Sequence, residues 1–265
     1  MTSAQVVLID RPQANVVRLL INRPDKRNAI DHDVRQQLTD ALTTALGDNS
    51  IRAVVLGGVA GVFSAGGDLP SMVGLSESQA RARMGHIHAL CRAVAKLGVP
   101  LVSAIEGIGA GAAVGLALLG DGIIVGERTQ ILFPFLKLGL VPDWGQLLTL
   151  PRRVGLPQAR RILTTGKSVS GPEALRIGLA DMLVADDQVM DTAISLAADL
   201  AQLPSQAFAR MKARLNNVSS SLAGELEREM SDQTVCLLSD DFAEGYDAFK
   251  NKRAPDFLVR QGGRK

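Results

Sequence analysis

The chain has 265 residues, 46% of them hydrophobic, 21% charged and only 3% aromatic, with 26 glycines, 2 cysteines and a formal charge of +2. An apolar fraction of that size with so little net charge excludes a disordered chain, and the length suits one sizeable domain or a domain with a helical appendage. The near-neutral charge, few aromatics and lack of a dense basic run argue against a nucleic-acid partner. Residues 107–120 form the best membrane candidate, but at roughly 14 residues they fall short of the ~20 that a spanning helix needs, so no membrane partner is expected. Residues 1–10 carry no signal-peptide pattern, and Cys91 and Cys236 are too far apart to suggest a disulfide framework or a zinc site. A cytoplasmic protein without a metal is the expectation.

Apolar runs at 6–9 and 16–21 predict paired strands around a turn at 10–15. Residues 33–46 have helical spacing, with Val34, Leu38, Ala41, Leu42 and Ala45 on one face and Asp31 as cap. A buried strand at 53–56, a helix at 77–97, a buried strand at 101–105, a short apolar helix at 112–119 and strands at 123–125 and 131–133 follow. From about residue 156 the pattern turns helical, at 158–164, 172–177, 188–201, 205–217 and 222–238, with one strand at 182–184. Pro204 opens the last helical part. Alternating strands and helices predict an α/β core over residues 1–200 and a helical region over 201–265.

Half of the 26 glycines lie in two windows, 57–74 and 107–126. Each window follows a predicted strand and leads towards a helix. Small residues there let backbone N–H groups of two adjacent turns converge on one carbonyl oxygen, the geometry of an oxyanion hole. Tight packing of helix on sheet is the competing reason for the same composition. A dinucleotide fingerprint is absent from the first window and out of register in the second, and Gly166-Lys167-Ser168 lacks the upstream glycine of a phosphate-binding loop.

Five motifs in order carry a family resemblance. They are Arg23-Pro24-Asp25-Lys26-Arg27-Asn28-Ala29, Ala65-Gly66-Gly67-Asp68-Leu69, the Gly-Ala-Gly-Ala-Ala turn at 109–113, Asp121, and the tail from Glu244 to Arg253. Together they resemble the enoyl-CoA hydratase/isomerase (crotonase) superfamily over residues 5–257. The resemblance implies a spiral of ββα units, a C-terminal helical region that builds a homotrimer or a dimer of trimers, and an acyl-CoA thioester as ligand. Coenzyme A is then part of the substrate, no separate cofactor is needed, and fatty acid metabolism is the natural setting. Carried over by position, the oxyanion donors are the N–H groups of Gly67 and Ala112. Lys26, Arg27 and Lys252 fall where the family meets the CoA phosphates and adenine, Ala65 offers a carbonyl to the adenine, and Asp68, Leu69, Phe135 and Trp144 complete the expected substrate-binding set. Asp68 also reads as a structural cap after the turn.

The family's hydratases use two glutamates, and those positions here are Gly115 and Phe135, neither of which transfers a proton. Ordinary hydration is therefore not expected. The remaining acid is Asp143, within Phe133 to Asp143 and Trp144-Gly145. A carboxylate there resembles that of the family's single-acid isomerases, Δ3,Δ2-enoyl-CoA isomerases and the ring isomerases of phenylacetate degradation among them. One base suffices to move a proton from C2 to C4 while the oxyanion hole holds the dienolate. Enclosure by Phe135, Val141 and Trp144 would raise its pKa, whereas an Asp after Pro142 also reads as a helix cap. Two alternatives keep the fold: Asp143 as the nucleophile of an acyl- or aryl-CoA hydrolase or dehalogenase, and a non-catalytic acyl-CoA-binding paralogue. His86 and His88, two apart on a helix, point to different faces and make a poor metal pair.

Overall fold

The computed structural model describes residues 4–258. β1 (Val7–Gln13) and β2 (Val16–Ile21) pair antiparallel with Val7 opposite Ile21, and the register shifts between Asp10 and Gln13. The first strand thus continues through Pro12, past the turn predicted at 10–15. An outermost strand tolerates a residue without an N–H, and the irregularity absorbs it. α1 (His32–Gly47) starts at the Asp31 carboxylate, which accepts from the Val34 N–H at 3.0 Å. β3 (Ala53–Gly58) lies parallel to β2, α2 (Glu77–Ala95) opens on a reciprocal Ser76–Gln79 capping box, and β4 (Leu101–Ile105) runs parallel to β3.

The chain then alternates between two sheets. β5 (Ile108–Ala110) begins the small sheet and leads into α3 (Ala112–Ala117), β6 (Gly122–Gly126) returns to the large one, and β7 (Gln130–Leu132) pairs parallel with β5. α4 (Gln146–Val154) and α5 (Leu156–Thr165) precede β8 (Val169–Ser170), which pairs with β7; α6 (Gly171–Arg176) and β9 (Met182–Val184) close the large sheet. The large sheet has the order β1-β2-β3-β4-β6-β9 and the small one β5-β7-β8. Single bridges between Ile30 and Gly67 and between Ser64 and Gly109 extend the small sheet's pattern towards the N-terminal turns. This is a spiral of ββα units, each turn giving one strand to the large sheet and one extended segment to the small one.

β3, β4 and β6 are buried at every position, as parallel strands covered on both faces must be. α7 (Val189–Leu200) covers one face, placing Val189, Ala193 and Ala197 against Val55, Val102 and Ala104. α8 (Ser205–Asn216), α9 (Leu222–Leu237) and α10 (Asp240–Lys250) form the C-terminal helices. α8 is tied to the sheet by Lys212, whose buried ammonium donates to Asp121 at 2.6 Å and to the Val99 carbonyl at 3.2 Å. The tail motif folds on itself: Glu244 accepts from both terminal nitrogens of Arg253 and from the Asp256 N–H, which holds its carboxyl down at about 2. No helix among the described residues is long and apolar enough to cross a membrane.

β5, β8, α4 and α10 escape the sequence reading. The two strands have only three and two residues, and α4 carries Pro151 inside it, a residue type that ordinarily ends or kinks a helix.

Asn28 explains why its motif contains an asparagine. Its backbone is left-handed, with φ of 57°, a conformation asparagine tolerates better than most residues. Its side chain accepts from the Arg23 N–H at 3.0 Å and donates to the carbonyls of Val59 at 3.0 Å and Val62 at 2.6 Å. The 23–29 turn is thereby fastened to the loop that follows β3. Asn28→Ala leaves these buried groups unpaired and is expected to lower the unfolding free energy by about 3 kcal/mol, read by chemical denaturation.

Candidate active site

The two glycine windows meet in the small sheet. Ser64 donates to the Ile108 carbonyl at 3.0 Å and accepts from the Ala110 N–H at 3.0 Å, so residues 64–67 run beside β5. Gly66 makes that approach possible. Its φ is 92°, and a Cβ there would lie 2.6 Å from the Ala110 carbonyl oxygen, closer than any side chain allows. The Gly66 N–H is held by the Ser64 hydroxyl at 3.0 Å and its carbonyl by the Ile30 N–H at 2.7 Å. The next N–H, that of Gly67, has no acceptor among the described residues, and neither has the N–H of Ala112, the first residue of α3.

Both residues line a cleft of about 1140 Å³. Asp143, Lys26, Ala65, Asp68, Leu69, Phe135 and Trp144 line the same cleft, so nine of the eleven residues singled out from the sequence come together. Arg27 and Lys252 are exposed and lie outside its lining. Asp68 does not serve as a side-chain cap. It begins the short helical turn Leu69–Met72 without a side-chain hydrogen bond, and its carboxylate lies 3.5 Å from Arg23.

Asp143 does not cap a helix through its carboxylate either. Gly145 occupies the position before α4, and it is the Asp143 backbone carbonyl that accepts from the Gln146 N–H at 3.2 Å. The carboxylate is left free: Oδ1 is buried with no hydrogen-bond partner among the described residues. Burial pushes this carboxyl above the usual range, opposed by its own backbone N–H, by Arg83 and by His88. The half-buried thiol of Cys91 is pushed up to about 12, first by burial and then by the Asp143 charge.

The acid loop is seated on α3. Trp144 is buried, with a left-handed φ of 55°, and a Cβ on Gly115 would lie 2.4 Å from the Trp144 Cβ and 2.9 Å from Gln146 Nε2. Gln146 donates from Nε2 to the carbonyls of Gly111 and Asp143, each at 3.1 Å. It joins the turn carrying the Ala112 N–H to the loop carrying the acid. The sequence reading passed over Gln146 and gave no individual role to Arg83 or to His88 in the cleft they both line. A glutamine leading an amphipathic helix and an arginine on a charged one carry no signal of their own. His88 was visible only as half of a poor metal pair.

The chain matches the family model described as enoyl-CoA hydratase/isomerase over residues 11–260. It is 31% identical over 255 residues to the 1,2-epoxyphenylacetyl-CoA isomerase of Escherichia coli, covering 94% of this chain and 97% of that one. It is 32% identical over 255 residues to the 2,3-dehydroadipyl-CoA hydratase of the same organism, covering 96% and 99%. A crystal structure of an enoyl-CoA hydratase from Bacillus anthracis superposes with a TM-score of 0.90 at 28% identity, covering 96% of this chain and 99% of that one.

The seat at Gly115 is open to test, since the chain's single tryptophan is the residue that rests on it. Gly115→Ala places a methyl group where Trp144 and Gln146 already pack, and the loop has to move. The expected result is a loss of about 1–3 kcal/mol of stability with a red shift of the tryptophan fluorescence. An unchanged spectrum and midpoint would show that the loop does not depend on this contact.

Proposed function

The chain belongs to the enoyl-CoA hydratase/isomerase family, and we propose that within it the protein is an acyl-CoA isomerase that moves a double bond from C3 to C2. The observation that carries this reading is the Asp143 carboxylate, buried and unpartnered in the same cleft as the unclaimed N–H groups of Gly67 and Ala112. In the proposed reaction Asp143 takes a proton from C2. The electron pair moves into the thioester, whose oxygen becomes an enolate held by the two N–H groups. The carboxylic acid then returns the proton to C4, the C3–C4 double bond opens and the C2–C3 double bond forms. Donors fixed before the reaction stabilise the enolate without reorganising, and a carboxylate desolvated by its surroundings is a stronger base than an ordinary aspartate.

Hydration fits these residues poorly. Gly115 has no proton to give and no room for a longer side chain, and Phe135 is an apolar wall of the cleft. The reading calls for no metal or redox group; coenzyme A enters with the substrate. Assembly as a homotrimer or a dimer of trimers belongs to the same proposal. The exposed apolar side chains of the last two helices, Leu226, Met230, Phe242, Tyr246 and Phe249, support it, because patches of that kind mark surfaces that associate.

Conversion of a 3-enoyl-CoA to the conjugated 2-enoyl-CoA, followed by its absorbance, tests the activity. Asp143→Asn is expected to lose on the order of 10²- to 10⁴-fold in kcat, and full retention would remove Asp143 as the base. Recovery of a covalent adduct on Asp143 would assign it the nucleophile's role instead. The wild-type rate should climb as pH rises through the elevated Asp143 pKa, and Arg83→Gln, which removes a cation that lowers that pKa, should move this limb to higher pH. The stability sign is opposite. A carboxyl with a raised folded-state pKa contributes stability that is complete below its unfolded pKa and is lost as pH rises through the folded one. Asp143→Asn should therefore be at least as stable as wild type at neutral pH.

A further inference from the structure

A second cavity, of about 290 Å³, shares Leu75 and Arg83 with the wall of the cleft. Its remaining polar lining includes His32 and Arg35 from α1, Ser71 from the turn after Asp68, and His86 from α2. No carboxylate lines it among the described residues. Arg35 is only 3% exposed, and its Nε and Nη1 meet no acceptor. Asp31, the acid whose charge acts on Arg35, is already taken, capping α1 and pairing with Arg23 at 3.0 Å. Arg83 donates from Nη1 to the Ser71 hydroxyl at 3.3 Å and forms no ion pair among the described residues. The rings of His32 and His86 stand 4.7 Å apart. Burial, with the charge of Arg83 adding to it and that of Asp31 opposing it, lowers the Arg35 guanidinium to about 10, so it sits there as a cation at neutral pH.

A guanidinium without a counter-ion in a cavity lined by another arginine and two imidazoles is a costly arrangement for the free protein. It becomes favourable when an oxyanion enters. Arg83 also faces the chemistry, since its Nη2 lies 3.7 Å from where a Cβ on Gly67 would stand. The same side chain therefore flanks both the proposed thioester-oxygen site and the basic cavity. We propose that this cavity binds a carboxylate carried by the acyl group in the cleft, which makes the substrate a carboxylated acyl-CoA. The proposal rests on the acyl-CoA reading of the cleft, and its test does not require turnover.

The test compares saturated straight-chain acyl-CoA thioesters matched in length, one series ending in a carboxylate and the other in a methyl group, by calorimetry on the full chain. Wild type is expected to bind the carboxylate-ended member about tenfold tighter or better, the worth of a charge-assisted hydrogen-bonded pair. Arg35→Met and the more conservative Arg83→Gln should each bring the two series close together. Arg35→Met should also melt no lower than wild type without ligand, because it removes an uncompensated buried charge. Equal binding of the two series by wild type overturns the proposal, and so does an Arg35→Met protein that melts lower yet keeps the preference. Inorganic phosphate alone separates the two sources of an oxyanion. If it raises the melting temperature of wild type but not of Arg35→Met while the thioester series bind equally, the cavity takes a free anion and the acyl-carboxylate assignment is wrong. If neither series binds at all, the acyl-CoA reading fails, and the phosphate measurement alone decides whether the cavity holds anions.

Discussion

The cleft depends on one close approach of backbone to backbone, that of Gly66 to the Ala110 carbonyl. A side chain at residue 66 would collide with that oxygen at 2.6 Å, so only glycine lets residues 64–67 lie against β5. Everything around the contact fixes its register. Ser64 is bonded to both Ile108 and Ala110, Ile30 and Gly66 are joined from the other side, and Asn28 fastens the preceding turn to the loop after β3. These bonds consume the donors of residues 64–66, 68, 110 and 111 and leave the N–H groups of Gly67 and Ala112 without an acceptor among the described residues. Unpaired buried donors are costly, and their persistence in a well-bonded region is what a pre-organised electrostatic site looks like.

The acid side of the cleft is coupled to the donor side through Gln146, which bonds to the carbonyls of both Gly111 and Asp143. A shift of the turn at 111 is therefore felt at the acid, and the reverse. The cleft and its neighbouring cavity also hold two ionisable groups whose buried atoms meet no hydrogen-bond partner, Asp143 and Arg35. Each is unfavourable in isolation, and Arg83, which lines both spaces, moderates one and aggravates the other. It draws the Asp143 pKa down while pushing that of Arg35 further down. Such local violations of good packing chemistry belong at sites where a ligand completes the set.

Much of this was legible in the sequence, for identifiable reasons. The two glycine windows announced a backbone that comes close to something, and the buried strands at 53–56 and 101–105 could be read from apolar runs that need no partner to be recognised. The helix cap at Asp31 follows from local chemistry alone. What could not be read was long-range. β5 and β8 are strands only because neighbours pair with them. Asp143, expected as the base, also read as a cap because caps are local, while the groups around it come from α2 and α3, far away in the chain. Arg35 and Arg83 resemble the polar faces of ordinary amphipathic helices until the fold places them on one cavity without an acid.

Gly115 ties the loop that carries Asp143 to the start of α3. The family resemblance implies a hydratase glutamate at this position, where the glycine of this chain has no side chain. Its bare Cα is instead occupied space, because the Trp144 Cβ and the Gln146 amide sit within 3 Å of where a side chain would begin. The loop that presents Asp143 reaches its position by resting on that spot, with Trp144 accepting a left-handed backbone to do so. A glutamate at 115 and this conformation of the acid loop exclude each other sterically. The glycine is therefore as much a part of the acid loop's placement as the residues of the loop itself.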